Sequence, residues 1–164
     1  LPQVSSENRA YIPTGYLPCT HISGNKLQTI PGAGLYEFGV VTSTMHMSWM
    51  KVTSGRLESR YQYSAKLTYN TFPWPLNPSK KQQQAVESFA QQVLDARAKY
   101  PESSLADLYD PRSMPPELAK AHQNLDRAVD AAYGKTTFKT EADRVAFLFE
   151  LYQQYVSKAD KGAK

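Results

Sequence analysis

The side chains whose chemistry stands out are Glu58, Arg60 and Gln62, spaced two apart in the run LESRYQYSAKL that spans Leu57 to Leu67. A guanidinium can donate two parallel hydrogen bonds to guanine, a carboxamide pairs bidentately with adenine, and a carboxylate accepts from the amino group of cytosine. Read as one extended strand, the run puts these three on one face and Leu57, Ser59, Tyr61, Tyr63, Ala65 and Leu67 on the other. One face packs and the other offers hydrogen bonds. Strands enter DNA grooves as helices do. The same row also describes an exposed strand face on which Glu58 and Arg60 form a weak surface ion pair, and spacing does not separate the two readings.

Other reactive residues do not assemble into a catalytic set. Cys19-Thr20-His21 lacks further metal ligands nearby and reads as a half-buried thiol beside a surface imidazole. His122 lies on an apolar helical stripe, as a core or boundary histidine does. Gly32-Ala33-Gly34 has the character of a turn and lacks the spacing of a phosphate-cradling loop. Asp126 and Asp130, one helical turn apart beside Arg127, read as a solvated charged face.

The elements that must position the Glu58–Gln62 row divide at a proline-rich stretch. Before it, Asn25–Ile30 and Leu35–Val41 have the short period-two pattern of strands around the turn Pro31–Gly34, and Thr42–Val52 reads as a short helix. The stretch Phe72-Pro73-Trp74-Pro75-Leu76-Asn77-Pro78 denies its backbone regular hydrogen bonding and forms a rigid connector, with Phe72 and Trp74 as anchors. Beyond it the spacing is helical. One helix runs from about Ser79 to Lys99, a second starts near Pro115-Pro116 and stops at Gly134, and a third starts at Thr140, where Asp143 can complete a cap. The expected architecture is α+β, a small twisted, mostly antiparallel sheet with a short helix over residues 1–77 followed by a three-helix segment over 78–164.

Composition narrows the partners. With 164 residues, 41% hydrophobic, the chain can bury one ordinary core or two small units. A single cysteine excludes an internal disulfide framework and fits a reducing compartment. No run approaches the ~20 apolar residues of a membrane span, and the first residues lack a signal-peptide pattern, so a cytoplasmic chain without membrane contact is expected. It begins at Leu1, which suggests a piece of something longer. The formal charge is +4, and residues 1–77 carry six Lys/Arg against three Glu and no Asp. Positive charge beside Tyr11, Tyr16, Tyr36, Tyr61, Tyr63 and Tyr69 suits a polyanion, and suits a mildly basic surface equally well.

Longer stretches add a resemblance. SSENRAYIPTGYL (5–17), SGNKLQTIPGAGLYEFGVVTSTMHMSWMKVTSGRLESRYQYS (23–64) and YNTFPWP (69–75) resemble the target-recognition region of MmeI-like, single-chain type II restriction–modification enzymes. MPPELAKAHQNLDRAVDAAYG (114–134) and EADRVAFLFELYQQY (141–155) resemble the helical segment that closes those polypeptides.

The resemblance implies a module that chooses a sequence in double-stranded DNA. The methyltransferase domain of the same parent chain would carry S-adenosylmethionine and methylate an adenine. No Asn-Pro-Pro-Tyr-like tetrapeptide or Gly-rich cofactor motif occurs in this sequence, so no cofactor is expected within it. Carried over onto the matching positions, the family's base readers are Lys26, Glu58, Arg60 and Gln62. Arg9, Ser43, Lys51, Arg56 and Lys66 are expected phosphate contacts, which fix register rather than sequence. The alternative is a protein-interaction module that docks the methyltransferase domain or another subunit without reading bases.

Overall fold

The computed structural model describes residues 1–135 and 138–162. In chain order the elements are β1 (Val4–Ser5), α1 (Leu35–Val41), α2 (Thr44–Thr53), β2 (Gly55–Leu57), β3 (Arg60–Gln62), α3 (Lys80–Ala98), α4 (Leu105–Leu108), α5 (Pro116–Ala132) and α6 (Glu141–Gly162). The strands form a three-stranded antiparallel sheet in the order β1-β3-β2, so the α+β architecture stands. Among the described residues no helix is long and apolar enough to cross a membrane.

The helical half follows its end signals. Ser79 accepts from the Gln82 N–H at 3.3 Å while the Gln82 carboxamide oxygen accepts from the Ser79 N–H at 2.8 Å, a reciprocal cap that starts α3. Pro116 opens α5, where a missing N–H costs nothing, and Gly134 ends it at φ +74°. Thr140 and Asp143 exchange the same kind of bonds ahead of α6. The short α4, capped by Ser104 and Asp107, carries too few residues to show a period in sequence.

Three expected strands are revised. Leu35–Val41 is helix α1, entered through a bond from the Gly34 N–H to the Glu37 carboxylate at 2.8 Å. Phe38, Gly39, Val40 and Val41 are consecutive and all buried, because one side of α1 meets α3 and α5 and the other meets α2, and enclosure on several sides erases the period. Asn25–Ile30 forms only a bridge from Leu27 to Pro2. The single strand expected over Leu57–Leu67 breaks at Glu58-Ser59 into the β2–β3 hairpin, and Ala65–Tyr69 coils into a π-helical turn. Tyr61 and Tyr63 are buried as expected, whereas Leu57 and Leu67 are exposed.

The principal core draws on both sides of the connector, joining Phe38, Val40, Met45 and Trp49 to Val86, Val93, Leu118, Leu125 and Leu148. A smaller cluster of Ile12, Met47, Met50, Tyr61 and Tyr63 lies under the sheet. Gly39 is where α1 crosses α3 and α5, and a Cβ there would come within 2.8 Å of Val86 and 3.1 Å of Ala90. The connector is pinned as its aromatics imply: Phe72 is buried, Tyr133 donates to the Pro73 carbonyl at 2.8 Å, and Tyr155 donates to the Trp74 carbonyl at 2.9 Å.

A buried polar chain crosses the same interface. Arg97 donates to the Thr14 carbonyl at 2.8 Å and, through Nε at 2.9 Å and also through Nη2, to the Tyr109 hydroxyl. With its oxygen so occupied, Tyr109 gives its own proton to His122 Nε2, 2.6 Å away. The Tyr11 ring stacks on His122 at 4.0 Å, and its hydroxyl donates to Asp126 at 2.7 Å. Asp126 in turn accepts from the Thr44 N–H at 2.8 Å, at the start of α2. His122 is thus a core histidine, and burial first, then the nearby Arg97 charge, pushes its pKa down to about 3. The solvated face expected for Asp126 and Asp130 is a correction. Both carboxylates turn inward, and Asp130 pairs with Arg144 at 3.0 Å with both side chains largely enclosed.

Candidate nucleic-acid interface

The hairpin register decides which side chains face together. Leu57 pairs with Arg60, Arg56 with Tyr61 and Gly55 with Gln62, while β1 continues the sheet through Ser5 opposite Tyr61 and Val4 opposite Gln62. Cross-strand partners share a face and neighbours along a strand alternate. Arg60 and Gln62 therefore lie on the outer face, and Tyr61, 6% exposed, lies on the inner one over Ile12, Met47 and Met50. Gly55 has no side chain to shield Gln62, which is left exposed.

Glu58 is not on that strand row. It occupies the turn at φ +58°, a left-handed conformation that favours glycine, and reaches back to pair with Arg60 at 2.6 Å. Both partners are exposed, so the ion pair read from the sequence does form, and it holds a carboxylate and a guanidinium together at the tip.

Arg56 goes the other way. In a continuous strand it would share the face of Arg60, but the turn reverses the chain and places it opposite Tyr61, on the inner face. Its guanidinium lies 4.0 Å from the Tyr61 ring centroid and donates to the Ser59 carbonyl at 2.9 Å. Glu7 joins the tip from the N-terminal segment. A bond from its own backbone N–H, then one from the Ser59 hydroxyl, with Arg56 and Arg60 nearby, hold its carboxyl below the usual range. Neither the inner position of Arg56 nor the approach of Glu7 shows in sequence, since both depend on where the chain turns.

The remaining candidates scatter. Lys26 is exposed, and its carbonyl accepts from the Gln3 N–H at 2.9 Å, which sets its segment beyond β1 and about 10 Å from β3 at two strand spacings. Lys66 is exposed on the π-helical turn that follows the hairpin. Arg9 donates to the Ala106 carbonyl at 3.4 Å, against the helical half. Lys51 is paired with Glu141 of α6 at 2.7 Å, so its charge is largely met within the chain. Ser43 is buried and donates to the Val40 carbonyl at 2.7 Å, which removes it from any surface a phosphate could reach, a correction to its expected role. Cys19 is exposed rather than half-buried.

The MmeI target recognition domain matches residues 1–76, and the MmeI C-terminal domain matches residues 78–159. The chain belongs to the MmeI family. Among MmeI relatives, DNA methyltransferase A of Bacillus subtilis (strain 168) is 40% identical over 158 residues, 96% of this chain and 18% of that protein. A solved structure of the type IIL restriction-modification enzyme MmeI in complex with DNA is 54% identical, with a TM-score of 0.90. That match covers 95% of this chain and 21% of the MmeI chain, so the sequence spans about a fifth of each relative. The β2–β3 hairpin lies inside the MmeI target recognition domain, and α3, α4, α5 and most of α6 lie inside the MmeI C-terminal domain.

Proposed function

We propose that this chain selects the DNA sequence at which a methyltransferase domain, outside these residues, transfers a methyl group from S-adenosylmethionine to an adenine. The observation that carries this reading is the outer row of the hairpin, Arg60 and Gln62 with Glu58 at the tip. These are exposed groups with base-edge chemistry, placed within a target recognition domain. Lys26 is the fourth base reader. Lys66 and Arg9 supply phosphate contacts, with Lys51 contributing only as far as Glu141 releases it. S-adenosylmethionine would be held by that methyltransferase domain.

The helical part acts as a brace. Its principal core is continuous with that of the reading half, the Arg97–Asp126 chain ties α2 to α3 and α5, and Met47 and Met50 of α2 pack under the hairpin. Double-stranded DNA is the partner, and the methyltransferase domain of the same polypeptide docks against the module.

The test is competition binding by the full-length parent enzyme, using duplexes that differ at single base pairs of its site. Arg60→Ala is expected to weaken discrimination at one position by about 1–3 kcal/mol and leave the others unchanged. Equal discrimination by the Arg60→Ala and parent enzymes would remove the hairpin from the reading surface and leave protein docking as its role.

A further inference from the structure

We infer that Arg56 is a positioning residue for the base-reading hairpin and not a phosphate contact, an inference that rests on the reading of β3 as the recognition strand. Arg56 and Tyr61 are cross-strand partners, so Arg56 shares the inner face with a core ring while Arg60 and Gln62 point outward. Arg56 is itself exposed, on the edge strand, but the register turns its side chain to the face opposite the outer row of Arg60 and Gln62.

What Arg56 touches is the hairpin itself. Its planar head covers the Tyr61 ring, a member of the Ile12–Met47–Met50 cluster, at 4.0 Å, and its Nη1 donates to the Ser59 carbonyl at 2.9 Å. Ser59 follows Glu58, the residue held at φ +58°, and precedes Arg60. One side chain thereby fastens the strained turn to the buried core and fixes the two residues on either side of Ser59. Lysine cannot reproduce this, because it has neither a flat face for the ring nor a rigid fork for the carbonyl.

The experiment uses the full-length parent enzyme and two duplexes, the cognate site and a copy changed at the base pair whose reading depends on Arg60. Binding is measured over a range of salt for the parent, Arg56→Lys, Arg56→Met, Arg60→Ala and the Arg56→Met/Arg60→Ala double variant. Arg56→Met keeps an apolar stem over Tyr61 and guards against loss of folding. A positioning role predicts that Arg56→Lys and Arg56→Met both reduce discrimination at the Arg60-dependent base pair, by about tenfold, within the range of one good base contact. It also predicts an unchanged salt slope, and a double variant no worse than Arg60→Ala alone.

A phosphate contact predicts the reverse, and that result would overturn the inference. Arg56→Met would weaken both duplexes equally and lower the salt slope by about one, and Arg56→Lys would restore binding. If Arg60→Ala itself changes discrimination nowhere, the recognition reading fails and the role of Arg56 fails with it. If Arg60→Ala acts and the Arg56 variants do not, only the positioning role is lost.

Discussion

Gly39 and Glu58 sit at two places where the chain can accept few residues, and they meet the constraint in opposite ways. At Gly39 the backbone is an ordinary helix and the surroundings are full, so α1, α3 and α5 close only because the residue has no Cβ. At Glu58 the surroundings are open and the backbone is left-handed, a conformation in which glycine would be relaxed, yet the chain carries a long acidic side chain. At the crossing of α1 with α3 and α5 the residue type follows packing. At the hairpin tip backbone strain is kept, and with it a carboxylate 2.6 Å from Arg60, in keeping with the base-reading role proposed for Glu58.

The contrast can be sharpened by substitutions that should damage the packed interior and by ones that should spare it. Asp130→Ala should act most strongly, because it leaves Arg144 enclosed without its partner, and denaturant unfolding should show a loss of about 3–5 kcal/mol. A loss below about 1 kcal/mol would place that pair with ordinary surface ion pairs. Adding Arg144→Met should recover much of the stability, since a matched apolar replacement removes the stranded charge.

Acid tests the same interior. Burial is the main cause that lowers the pKa of both His46 and His122 to about 3 in the folded chain, against 6.5 for an unperturbed ring. Below pH 6.5 the unfolded chain therefore binds protons that the folded chain refuses, and stability falls as pH drops toward 3. Between pH 7 and pH 5 the fall should be about 2 kcal/mol for each ring. His122→Gln should remove one of the two contributions, so a pH dependence identical to that of the parent chain would contradict the buried assignment.

Gly39→Ala should follow, with a loss of about 1–3 kcal/mol as Val86 and Ala90 give way to the new methyl group. Glu58→Gly should have the smallest effect on stability, between none and a gain of about 1 kcal/mol, because it relaxes the turn. It should nevertheless change recognition. A thermal melt combined with a binding profile separates these, and a Glu58→Gly chain that unfolds more easily while reading the same site would reverse the comparison between the two regions.

The helical half was legible because its apolar residues recur at helical spacing and because Pro115-Pro116, Gly134, and Thr140 with Asp143 mark helix ends. Sequence also picked out Tyr61 and Tyr63 as core and Phe72 and Trp74 as anchors. It misread Leu35–Val41, where burial on several sides hid the helical period and the bond from Gly34 to Glu37 was the available clue. It misread the reading strand for a different reason. Glu58-Ser59 is not one of the Asn-Gly, Asp-Gly or Gly-X pairs that announce a two-residue hairpin, and each arm is only three residues long, too short for its period to reveal the shift in phase across the turn. The consequence fell on Arg56, which moves to the opposite face. Asp126 and Asp130 were misread separately, because their inward turn depends on Tyr11, Thr44 and Arg144 arriving from distant parts of the chain.

If the hairpin reads bases, changing it must change the methylated motif in DNA from cells expressing the intact parent gene. The motif is compared between the parent and the Glu58→Arg/Arg60→Glu exchange. The exchange keeps the net charge and the ion pair while transposing donor and acceptor groups. Base reading by the hairpin predicts a motif altered at one base pair with the rest retained. An unaltered motif at normal levels of methylation would contradict it.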